Sequence, residues 1–202
     1  MAIPVLTPIE EQIVFHFAIG QAIAQWAHVE NALYNICVVA FGEKQSPVLG
    51  ASFHSIDNFR TKLSFTDSAV QQSSRFTELV AEWSTERDRA RGLSVLRNKI
   101  AHSRTIGYPE ATPGRREAIV PISFRPLKKQ RKAPGPPPDS LCVKDIDLAA
   151  RQFARASNAL LGIMAKAQGH RWRPAESSQQ ELQVRSLKEI RSLIDATRLQ
   201  RA

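Results

Sequence analysis

Arg97, Asn98 and His102 are the residues of this 202-residue chain whose types and spacing best suit chemistry. An imidazole can give or take a proton near neutral pH. A guanidinium stays charged and can grip phosphate oxygens in a forked contact. On a helical wheel, Asn98 and His102, spaced i and i+4, share a face with Arg91 and Val95, while Leu93, Leu96 and Ile100 mark the core side. Arg97 flanks the outward face. An Arg and a His five apart are not neighbours on a regular helix, but a long side chain or a frayed last turn can bring them to one site. Taken alone the string is short, and the helix dipole favours a His near a carboxyl-terminal end in any case.

The element that carries these residues reads as the third long helix of a mainly α chain. Pro8, Glu10 and Glu11 form a helix start, and Phe15, Ile19, Ala22, Trp26, Val29, Leu33 and Ile36 then recur every three or four residues until Gly42. Ser46-Pro47 opens a second helical segment that runs to about Gln72, with a break near His54. The third helix spans about 75–104. Its charged stretch 84–91 reads as exposed, and Gly107 and Pro109 stop it. Short β-like patterns at 105–108, 118–124 and 141–143 predict a small hairpin or three-stranded appendage. A fourth long helix, capped by Asp145 or Asp147, closes at Gly169. The expected organisation is one helical domain over 9–169, with a β-like, basic and proline-rich insertion at about 105–143. An amphipathic tail follows over 174–202.

Charge is one-sided. Residues 1–114 hold 10 Lys/Arg against 11 Asp/Glu, and residues 115–202 hold 18 against 8, so the net +9 comes from the second half. Five cations, Arg125, Lys128, Lys129, Arg131 and Lys132, fall within eight residues. Such a run suits a polyanion such as RNA through counterion release, or it is a solvated loop. No run of eighteen apolar residues predicts a membrane span, and the amino terminus lacks the pattern of a secretory signal. Cys37 and Cys142 make neither a disulfide framework nor a zinc site, so a reducing cytoplasm is the expected location. His16 and His28 read as half-buried polar residues too far apart for a metal. Trp26 and Trp83 sit at core spacing rather than on a base-stacking platform.

The string Leu96-Arg97-Asn98-Lys99-Ile100-Ala101-His102, late in the third helix of a mainly α chain, resembles the signature of the HEPN superfamily. That signature is an Arg, commonly followed directly by Asn or another polar residue, with four to six residues between the Arg and a His. Gly20, Trp26, Glu30 and Leu33 are similar to the opening helix of related bacterial domains, and the resemblance spans roughly 9–168. It implies an antiparallel helical bundle, here with a small β-hairpin inserted before the fourth helix. It also implies homodimers whose motifs face each other and metal-independent cleavage of RNA through its 2′-hydroxyl, with no cofactor. Arg97, Asn98 and His102 would then be catalytic. The family gives no function for the β-like insertion and its basic run. By their charge alone that run and Arg104 could hold substrate phosphate, although an Arg at a helix end is also ordinary dipole compensation. Glu30 could face Arg97 or a partner's motif, unless it is simply a solvated helix residue. A toxin or defence effector restrained by an inhibitory protein fits this reading. The other reading is a non-catalytic HEPN-like module that dimerises or binds RNA or protein.

Overall fold

A computed structural model describes residues 6–42, 46–108, 111, 116–120, 136 and 139–170. Among them are five α-helices and one two-stranded antiparallel sheet: α1 (Pro8–Phe41), α2 (Ser46–His54), α3 (Phe59–Gln72), α4 (Val80–His102), β1 (Arg104–Gly107), β2 (Glu117–Val120) and α5 (Val143–Ala167). The mainly α fold with a small hairpin ahead of the last long helix is as the sequence predicts. The helix count differs because the second segment is two helices. Asn58 Oδ1 accepts from the Thr61 amide and hydroxyl, both at 2.8 Å, and so starts α3 as a separate element.

Caps explain where the long helices begin and end. The Thr7 amide donates to Glu10 Oε2 at 2.7 Å and the Glu10 amide to Thr7 Oγ1 at 3.4 Å, a reciprocal capping box on α1. Gly42, at φ +92°, closes the other end. A 3-10 turn, Ser74–Leu79, precedes α4, so regular α-helix starts later than the residue pattern suggests. At α5 the Cys142 amide donates to Asp145 Oδ2 at 2.9 Å, which makes Asp145 the capping acid from inside the first turn. Gly169, at φ +75°, ends that helix, and the His170 amide reaches back to the Ala165 carbonyl.

The chain divides into two compact units, which among the described residues comprise 6–23 with 97–150, and 24–96 with 151–170. In the first, Val14, Phe15, Ala18, Ile100, Ala118, Ile119, Val120 and Ile146 are buried. Its sheet pairs Arg104 with Val120 and Gly107 with Glu117, and Leu141 bridges Ile119 as the rudiment of a third strand. In the second, Trp26 packs edge-on against Phe59 and Phe153, at 4.6 and 5.1 Å between ring centres.

Each buried tryptophan there also serves a carboxylate that holds a cation. Trp26 Nε1 and Lys62 Nζ donate to the two oxygens of Glu30, at 2.8 and 2.7 Å. Trp83 Nε1 donates to Asp67 at 2.7 Å, and Arg87 Nη1 lies 3.0 and 3.1 Å from the oxygens of the same carboxylate. The charged stretch 84–91 is therefore exposed only in part. Asp88, Arg89 and Arg91 face water, whereas Arg87 folds onto Asp67 and Ala90 is buried. His16 and His28, expected half-buried, are both exposed. Among the described residues no helix is long and apolar enough to cross a membrane.

Candidate functional site

The site is built at the carboxyl-terminal end of α4, in the first unit. Ile100 is buried and fixes the rotation of the last turns, which leaves Asn98 and His102 exposed and Arg97 half-buried. Arg91 and Val95, assigned to the same side by the wheel, are exposed too. Arg97 Nη1 donates to Asn98 Oδ1 at 3.1 Å. Asn98 thus engages the guanidinium beside it. His102 is the last residue of the helix, and its imidazole makes no hydrogen bond or ion pair to another described residue. Only Ser103 separates it from β1.

Neighbouring contacts secure this end of the helix. Lys99 Nζ donates to the backbone carbonyl of Asp139, a tie across 40 positions of sequence. Arg104, expected to bind substrate, is exposed on β1 opposite Val120. Burial raises the pKa of Tyr108, and the charge of Arg104 partly offsets this. Arg125, Lys128, Lys129, Arg131 and Lys132 lie outside the described residues, as does the tail 174–202. The segment that holds the cations is nonetheless anchored at both flanks, by Val120 pairing with Arg104 and by Asp139 accepting from Lys99. Glu30, expected to support the motif, accepts from Trp26 and Lys62 in the second unit. The sequence offered a clue in the i, i+4 spacing of Trp26 and Glu30; Lys62, 32 positions on, gave none.

A second group of ionisable side chains in the first unit escaped the sequence reading. Arg116 Nη1 lies 3.4 Å from the Leu6 carbonyl and 3.6 Å from Oε1 of the buried Glu11. Glu117, next along β2, lies over Gly107, where a Cβ would come within 3.3 Å of its Oε1. Burial raises the Glu117 pKa; His16 works against this and Glu11 adds to it. Among the described residues no cluster of three or more His, Cys, Asp or Glu could hold a metal ion.

Comparison with family models, curated proteins and solved structures gave no match.

Proposed function

We propose that this chain is an RNA-cleaving protein of HEPN type, acting through Arg97, Asn98 and His102 without a metal. The observation that carries the reading is the exposed His102 one helical turn from the Arg97–Asn98 pair. An imidazole and a cationic fork are what a ribonucleotide phosphodiester needs in order to cleave itself. The base takes the 2′-hydroxyl proton, and the O2′–P bond forms as the P–O5′ bond breaks. An acid then returns a proton to the departing 5′-oxygen. Arg97, held by Asn98, would hold the phosphate oxygens as charge builds on them. In a homodimer with facing motifs, two copies of His102 could divide the acid and base roles.

The basic run fits the same substrate. Arg125 is five residues past Val120, within about 18 Å of it at full extension, and Lys132 is seven residues before Asp139, within about 25 Å. Such limits let the cations reach a strand of RNA held at the end of α4. An activity of this kind harms its own cell unless restrained, which agrees with a toxin or defence effector held by an inhibitory protein.

A second reading, an RNA- or protein-binding module without cleavage, is favoured by one observation. No hydrogen bond from a described residue orients the His102 imidazole, whereas catalytic bases are ordinarily oriented by a third group. Single-stranded RNA incubated with the protein in EDTA decides between them. The nuclease leaves 2′,3′-cyclic phosphate ends and loses activity in His102→Ala. The binding module gives no cleavage, and Arg97→Ala and His102→Ala weaken only binding or assembly.

A further inference from the structure

Lys99 stands inside the motif, between Asn98 and His102, and its ammonium ends on a neutral oxygen. Lys62 and Lys166 each end on a carboxylate, those of Glu30 and Glu82, at 2.7 Å. Lys99 Nζ donates instead to the main-chain carbonyl of Asp139, and no carboxylate among the described residues pairs with it. A lysine in the last turn of a helix is ordinarily explained by the helix dipole and by the helix's own last carbonyls. Here the ammonium is drawn off the helix end and fixed to a segment 40 positions on. The side chain is half-buried, so its charge has left part of its water with only a neutral acceptor in return. Such a charge is costly until an anion completes its surroundings. An ammonium has three donors, and the tether uses one of them.

Helix geometry puts that charge beside the imidazole. At about 100° per residue, Lys99 lies about 60° round α4 from His102 and one turn back. Neighbours spaced i and i+3 have Cβ atoms about 5–6 Å apart. Asn98, which Arg97 engages, lies about 40° from His102 on the opposite side. The imidazole is therefore flanked by the guanidinium–amide pair on one side and by a tethered ammonium on the other. All of these residues, with Asp139, belong to the first unit.

We infer that Lys99 is a further phosphate-binding residue of the His102 site, holding the RNA phosphate next to the one that is cut. The inference rests on the RNA-cleaving reading above. Arg97 and Asn98 serve the reacting phosphate. The ammonium, tethered to Asp139, stays on the other flank, where the neighbouring phosphate of the same strand passes. Because the tether holds the side chain before substrate arrives, little rotamer freedom is lost on binding. A contact made equally in the ground and transition states lowers KM and leaves kcat alone.

Lys99→Gln tests this, because the amide keeps a donor for the Asp139 carbonyl and loses the charge. Anisotropy with a labelled 2′-O-methyl oligouridine, which has no free 2′-hydroxyl to attack, is measured across salt concentrations. Losing one phosphate contact should make the dependence of log K on log salt shallower by about 0.7, whereas Lys99→Arg should keep the parent slope. On cleavable RNA in EDTA, Lys99→Gln should raise KM about tenfold at unchanged kcat. In the parent, bound oligouridine should shield the Lys99 amine from acetic anhydride, a reading that needs no variant. An unchanged salt slope in Lys99→Gln, a loss confined to kcat, or a Lys99 amine as reactive in the saturated complex as in the free protein would overturn the inference while the ribonuclease reading stands. A parent that neither binds the oligouridine nor cleaves RNA would remove both.

Discussion

Asn98 accepts a hydrogen bond from Arg97 Nη1 at 3.1 Å, so the amide of the motif holds its guanidinium neighbour. A bond of this kind contributes about 1 kcal/mol. Asn98→Ala should therefore weaken RNA binding roughly fivefold while leaving the helix content of the protein unchanged. Fluorescence anisotropy with a labelled single-stranded RNA measures it. If Asn98 instead served the imidazole, the loss would fall on turnover with affinity preserved.

Asp67 joins Trp83 and Arg87, and its titration predicts acid sensitivity. Burial alone would raise its pKa, but hydrogen bonds from Trp83 and Arg87, the Arg87 charge and Gln71 together lower it. A carboxylate depressed in the folded state adds stability that is fully present above its unfolded pKa of about 3.9 and is lost as pH falls through the lower folded value. Asp67→Asn should cost about 1–3 kcal/mol at pH 7 and much less in strong acid. Urea denaturation at several pH values supplies the comparison.

Glu117 behaves in the opposite sense. Its folded pKa is raised, chiefly by burial, so its contribution is complete below the unfolded value and is lost as pH rises through the folded one. Glu117→Gln should leave stability near pH 4 almost unchanged and raise it at pH 7. Thermal melts at the two pH values would show a flattened profile for the variant; a variant less stable at pH 7 would mean that the carboxylate has a favourable partner.

Burial pushes the Cys37 thiol up to about 11, against a hydrogen bond to Thr66 that lowers it, while Cys142 is partly exposed. A thiol reagent at pH 8 should label one cysteine of the native protein quickly and the second only after unfolding. Peptide mapping should place the fast label on Cys142.

How much of this was legible in the sequence follows the range of the interactions. Local signals served well: the acids after Pro8, Gly42, Gly169 and the β-like patterns near 105–108 and 118–124 all mark elements that the structure contains, whereas 141–143 yields only the Leu141 bridge. The outward orientation of Asn98 and His102 came from helix periodicity alone. What stayed hidden depends on partners far apart in the chain. Arg87 looked solvated because Asp67 lies on another helix, and nothing local pointed to the tie from Lys99 to Asp139, 40 positions away. The break between α2 and α3 was visible, but the Asn58 cap that makes it was not.

With only Ser103 between α4 and β1, the hairpin and the imidazole share one mechanical reference. Slipping β1 by a single place against β2 would turn its side chains over, and the twist would reach His102 with almost no slack chain to absorb it. Substitutions at the far end of the hairpin, remote from any phosphate, would then alter activity by misaiming one ring.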